Sequence, residues 1–135
     1  MSADERLVFL LCDDPKTIIG TGYKDVDLLT IPTDTVYLCL ENSQVTDEGI
    51  ANLPSFINIR CIDLDSTLIT DAALKKLSGF ASLEELWLED TAITDQGVRF
   101  LYPLKKLKFL SILDCDISHE AIKKLQDELP GLKIH

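Results

Sequence analysis

The chain has 135 residues, 46% of them hydrophobic, with 13 basic and 23 acidic side chains and a formal net charge of −10. This length suits one domain with a packed core. The acidic balance argues against nucleic acid or an anionic membrane as the main partner and favours attraction to basic surfaces.

The start, Met1-Ser-Ala-Asp-Glu-Arg6, is charged, and the apolar run from Leu7 to Cys12 is too short for a secretory signal core or a membrane span. A cytoplasmic location is the expectation. Cysteines at 12, 39, 61 and 115 form no C-x-x-C pair and read as reduced thiols. Glu5 to Leu11 suits a short helix or a strand, and Asp13-Asp14-Pro15 and Gly20-Thr-Gly22 are turn signals. No third glycine or Lys-Ser/Thr follows Gly22, so this is not a phosphate loop. Residues 1–34 read as an N-terminal capping segment, or else as a docking arm for a partner.

From residue 35 the chain repeats. Thr35, Ile59, Leu83 and Leu107 head four copies, 24 residues apart, and the third reads Leu83-Glu-Glu-Leu86-Trp-Leu88-Glu-Asp-Thr91-Ala-Ile93-Thr-Asp-Gln-Gly-Val98. A fixed period in this range with an L-x-x-L-x-L core marks a solenoid, whose units bury their apolar sides by stacking. Each L-x-L is a short strand, and each T-D step opens a helix. Thr46, Thr70, Thr94 and Ser118 suit the N-cap, with Asp47, Asp71 and Asp95 favourable in the first turn. Ile50/Leu53, Leu74/Leu77, Val98/Leu101 and Ile122/Leu125 each share one helix face, and Phe56, Phe80 and Leu104 continue the pattern. Pro54 and Pro103 mark helix ends. The column Ser43, Thr67, Thr91 and Cys115 follows the strands, with hydroxyls placed to bond backbone. Residues from Leu125 onward suggest one further strand closing the stack, in an uncertain register.

Residues 35–135 resemble the leucine-rich repeat family. They are similar to the 24-residue class L-x-x-L-x-L-x-x-T-x-I-T-D-x-G-L-x-x-L of bacterial repeat proteins and of the cysteine-containing repeats of F-box proteins. The resemblance implies an α/β solenoid, with a parallel sheet on the concave face and helices on the convex face, used to bind proteins. The expected division is a capping segment, 1–34, and a repeat domain, 35–135, of four repeats plus a C-terminal cap. No F-box is visible in residues 1–34, so an adaptor role in ubiquitin ligation has no support.

Strand alternation places repeat positions 3, 5 and 7 on the open side of the sheet. These are Tyr37, Cys61, Glu85 and Phe109; Cys39, Asp63, Trp87 and Ser111; and Glu41, Asp65, Glu89 and Leu113. The aromatics Tyr37, Trp87 and Phe109 stand where solvent is expected. Glu41, Asp65 and Glu89 stack like charges on successive strands, which costs stability, and Asp90, Asp114 and Asp116 extend the acidic zone. One reading is an ordinary sheet face with solvated acids. The other is a partner-binding patch of Tyr37, Glu41, Asp63, Asp65, Glu85, Trp87, Glu89 and Phe109, anchored on Trp87 and selecting a basic protein or peptide. The helix side carries Lys75, Lys76, Arg99, Lys123 and Lys124, with Lys105, Lys106 and Lys108 nearby. This is a solvated basic face, or one half of a face-to-back self-association that would make the chain a structural or regulatory subunit. Neither His119 nor His135 is placed to activate Cys39 or Cys61. Asp63 with Asp65 is a weak acid–base pair, and Cys39, Cys61, Asp63 and Asp65 lack metal-site spacing. No enzyme, cofactor or metal is expected.

Overall fold

The computed structural model describes residues 16–135; the element expected at residues 5–11 and the turn at 13–15 lie outside them. Six strands form one sheet in chain order: β1 (Thr17–Ile19), β2 (Tyr37–Cys39), β3 (Cys61–Asp63), β4 (Glu85–Trp87), β5 (Phe109–Ser111) and β6 (Lys133–Ile134). Every neighbouring pair is parallel. Parallel neighbours need a crossover between them. Here it holds a short helix: α1 (Asp47–Ala51), α2 (Asp71–Leu77), α3 (Asp95–Val98) or α4 (His119–Glu128), with 3-10 turns at Asp25–Thr30 and Arg99–Leu101.

The register follows the repeat. Leu38, Ile62, Leu86 and Leu110 lie side by side on successive strands, and Leu110 pairs with Ile134. The closing strand therefore keeps the repeat spacing. At the other end, Thr17 pairs with Tyr37, and Leu28 and Ile31 enter the main core. This first unit lacks the L-x-L core and is shorter than the others, so the repeat pattern passed over it.

The core lies between sheet and helices. Leu38, Ile62, Leu86 and Leu110 project into it, as do the helix pairs Ile50/Leu53, Leu74/Leu77 and Val98/Leu101. Ile122 is only partly buried against it, beside fully buried Leu125. Burying each such aliphatic side chain contributes ~1.5–3 kcal/mol.

The T-D step works differently from the capping expected of it. Each Asp reaches across to the next unit, where the N-cap residue's amide donates to its carboxylate. The distances are 2.7 Å for Asp25–Thr46, 2.7 Å for Asp47–Thr70, 2.7 Å for Asp71–Thr94 and 2.8 Å for Asp95–Ser118. The same residue's hydroxyl donates to the second carboxylate oxygen. Only Thr70 and Ser118 also accept a helix N–H; Thr46 and Thr94 do not. A carboxylate is the stronger acceptor, so inter-unit stapling takes precedence over capping. Gly49 and Gly97 make room for it. A Cβ at Gly49 would collide with a carboxylate oxygen of Asp25, and one at Gly97 with a carboxylate oxygen of Asp71. His119 stands where the three preceding repeats have Asp.

A second column also serves the backbone. Asn42, Ser66, Asp90 and Asp114 leave their strands at φ of 58°, 54°, 53° and 60°. Asn and Asp adopt this left-handed region more readily than most side chains. Asp90 and Asp114, expected to extend an acidic face, therefore have a conformational reason to be there. One residue further on, the Thr67 and Thr91 hydroxyls donate to the carbonyls of Leu64 and Leu88, both at 2.8 Å. Ser43 Oγ is buried without a hydrogen-bond partner among the described residues.

Candidate binding face

Each strand presents its alternate residues on the side away from the helices, as the period of two requires. The expectation that these residues meet solvent is wrong at the centre of the sheet. Tyr37 and Trp87 are 0% exposed and Phe109 7%. With Cys61 they form a second apolar cluster, separate from the main core. The reason lies in the register: Tyr37, Cys61, Glu85 and Phe109 are direct neighbours on β2 to β5. Adjacent strands are only about 4.8 Å apart, so large side chains in this column pack on one another. The Trp87 and Phe109 ring centroids are 4.6 Å apart, and His135 lies 5.1 Å beyond Phe109. Burial pushes the Tyr37 phenol and the Cys61 thiol well above their ordinary pKa values, so both are neutral here.

The acids form two groups. Asp63 and Asp65, expected to be solvated, are 1% and 3% exposed. A carboxylate so buried must be hydrogen-bonded. Asp63 Oδ1 accepts the Asp65 amide at 3.0 Å, and Asp65 Oδ1 accepts the Glu89 amide at 2.7 Å. These contacts offset part of the cost of stacking like charges. Glu41, Glu85 and Glu89 are half-buried. Glu85 Oε2 accepts from Trp87 Nε1 at 3.3 Å and from the Cys61 thiol at 3.5 Å. Glu89 Oε2 accepts the Ser111 hydroxyl at 2.8 Å. None of the five carboxylates is without a partner.

The structure keeps all eight expected binding residues on one face, with Cys61 and Ser111 also there as the alternation predicts, and adds His135. Cys61 shares its repeat position with Tyr37, and that was the signal for its place in the cluster. The metal quartet of Cys39, Cys61, Asp63 and Asp65 does not assemble. Among the described residues, Cys39, Glu41 and Asp63 instead bring one donor atom each within 4.8 Å of one another. Such a spacing suits a cation, but Asp63 Oδ1 is already taken by a backbone amide. Cys39 and Cys61 sit diagonally, Cys39 opposite Asp63, and Cys61 and Cys115 are free thiols.

A charged ladder at the second repeat position went unread in the sequence. Arg60 Nε lies 2.7 Å from Glu84, and Lys108 Nζ lies 3.0 Å from it. The Arg60 hydrogen bond, helped by Lys108, holds the Glu84 carboxyl down to about 2. On the helix side Lys75, Arg99, Lys105, Lys106, Lys123 and Lys124 are exposed, while Lys76 is half-buried with its ammonium 6.0 Å from the Phe80 ring centre. Among the described residues no helix is long and apolar enough to cross a membrane.

No family model matches this chain, and no curated protein does. Among solved structures it is similar to an internalin, InlF, from Listeria monocytogenes, a leucine-rich repeat protein. The two share 23% identity with a TM-score of 0.55, over 85% of this chain and 38% of that one. The chain therefore spans well under half of the internalin's length, and the likeness is one of fold. With the six-stranded parallel sheet and its helices, it fits an α/β repeat solenoid.

Proposed function

We propose that the chain is a protein-interaction module that holds an apolar and basic segment of a protein or peptide on the sheet face opposite the helices. The observation that carries this reading is the company of five carboxylates, Glu41, Asp63, Asp65, Glu85 and Glu89, around an aromatic cluster centred on Trp87. Folding alone does not call for buried acids beside a tryptophan, and residues that cost stability without a packing gain tend to mark function. The chemistry selects its ligand: an aromatic or aliphatic side chain for the cluster, and a cation for the acids. A cytoplasmic location and the absence of catalysis belong to the same reading.

The test is a random peptide library screened on the immobilised wild-type chain and on a Trp87→Ala/Glu89→Lys variant. The selected peptides are expected to carry a basic residue beside apolar ones, to bind more weakly as salt rises, and to lose binding to the variant. Peptides that bind both chains equally, without salt dependence, would contradict the reading.

A second reading has an observation of its own in the exposed lysines and arginine of the helix side. An acidic sheet face on one copy meeting that basic side on the next would build a self-assembling structural or regulatory subunit. Light scattering tests it, with concentration-dependent size expected and a lasting monomer at high concentration counting against it.

A further inference from the structure

The basic side chains away from the sheet face are not spread evenly. Lys76, Lys105, Lys106 and Lys108 line two clefts along the edge of the solenoid where the chain turns back from helix to strand. One cleft lies between the loops that lead into β3 and β4, with Phe56, Ile57 and Phe80 as its apolar wall. The other lies between the loops that lead into β5 and β6, and Lys106 lines both. Along this edge the repeat changes character in register. Phe56-Ile57-Asn58 becomes Phe80-Ala81-Ser82 and then Leu104-Lys105-Lys106, one repeat apart each time. The core holds the first residue of each trio: Phe80 and Leu104 are buried in it, and Phe56 packs against it with its ring centre 5.4 Å from that of Phe80. The core does not hold the residue that follows. Ile57 is 77% exposed, and Ala81, Lys105 and Lys106 are exposed too. Folding leaves these positions open, and across three units they run from apolar to basic.

We propose that this edge is a second docking site, which takes an acidic, apolar segment of another protein. An aromatic or aliphatic side chain enters the cleft beside Phe56 and Phe80, and carboxylates a few residues further along meet Lys105 and Lys106. Charge complementarity commits the site to this occupant. Helix ends account for Lys76, in the last turn of α2, but Lys105 and Lys106 stand in a loop beyond the 3-10 turn. Glu84, at the second cleft, is already matched by Arg60 and Lys108. Among the described residues Lys105 and Lys106 form no ion pair, so their charge is left for a ligand. The chain's net charge of −10 repels acidic segments at long range, but salt screens that repulsion beyond ~8 Å at physiological ionic strength. The spacing is set by the sheet: the two clefts are two strand intervals apart, about 10 Å, which about three extended residues span. The sheet face plays no part in this site, which stands whether or not that face binds a partner.

The probes are fluorescein-labelled peptides in which one Phe, Leu or Trp stands a few residues before a Glu-Glu pair. They are titrated with the full chain and read by fluorescence anisotropy. Saturable binding of at least one of them is expected, weakening as salt rises. Lys105→Glu/Lys106→Glu should bind that peptide at least about tenfold more weakly. Ile57→Ser, or a peptide with Gly in place of its apolar residue, should lower affinity several-fold. Ile57, Lys105 and Lys106 are exposed, so circular dichroism of the variants should match wild type; if the double variant loses its dichroism, Lys106→Ala is read by the same criteria. No saturable binding, or equal binding by wild type and variants, would overturn the proposal. So would polyglutamate or a single-stranded oligonucleotide bound as tightly as the peptide, which would make the edge a general polyanion site. Sedimentation showing self-association of wild type that Lys105→Glu/Lys106→Glu abolishes would overturn it too, by assigning the edge to a second copy. Failure of the sheet-face reading would instead appear with the basic peptides and leave these acidic ones bound.

Discussion

The two faces of the same sheet follow different rules. Toward the helices, the four repeats place near-identical aliphatic side chains: Leu38, Ile62, Leu86 and Leu110 in one row, and Leu40, Leu64, Leu88 and Ile112 in the next. Toward the open side, the matching rows hold Tyr, Cys, Glu and Phe, then Cys, Asp, Trp and Ser. The first face needs only apolar volume, and one residue type satisfies it in every unit. The second varies from unit to unit and buries acids, which a folding requirement alone would not select. The repeat therefore builds the body, and departures from it on one side mark the face proposed to bind a partner.

Neighbouring substitutions in β4 test this contrast. Leu86 is fully buried toward the helices, and Leu86→Ala is expected to cost ~2–5 kcal/mol of stability, read by urea unfolding. The stapling ladder sharpens the picture next. Asp71→Ala leaves the Thr94 amide and hydroxyl without the acceptor they now share, an expected loss of ~1–3 kcal/mol in the same assay. Trp87→Phe keeps an aromatic ring in the second cluster, so it should leave the fold in place yet weaken peptide binding about tenfold, ~1.4 kcal/mol. A variant that unfolds as readily as Leu86→Ala while binding peptide normally would erase the distinction between the faces.

Smaller effects are expected at the charged ladder. The folded-state pKa of Glu84, about 2, lies below its ordinary 4.5, so its contribution is complete above pH 4.5 and is lost as pH falls toward 2. The Arg60 side chain is 39% exposed, so solvent screening limits the loss in Glu84→Gln to ~1 kcal/mol or less at pH 7. The difference from wild type should vanish in unfolding curves taken near pH 2. The smallest effect is expected for His119→Asp. His119 is exposed, so this surface change should shift stability by no more than ~0.5 kcal/mol.

The sheet, its order and the helix-side core were legible because alternation and a constant spacing fix which residues share a face. The closing strand was legible as a strand, but its register needed the structure, in which Leu110 pairs with Ile134. Three things were not. The Thr17–Tyr37 step is shorter than the repeat, so the first unit escaped the pattern. The T-D pair looked like local capping because its partner lies in the next unit, a contact that one repeat viewed alone does not contain. Finally, alternation states which side of the sheet Trp87 and Asp63 face, but not whether anything covers that side. Their burial needed the structure.

The most direct measurement of the central claim is Trp87 emission during titration of the full chain with a basic, apolar peptide selected on it. Binding is followed in parallel by calorimetry at low and raised salt. A saturable change in Trp87 emission, with a midpoint that matches calorimetry and weakens as salt rises, is the predicted result. Calorimetric binding that leaves Trp87 emission unchanged would place the partner elsewhere and contradict the account.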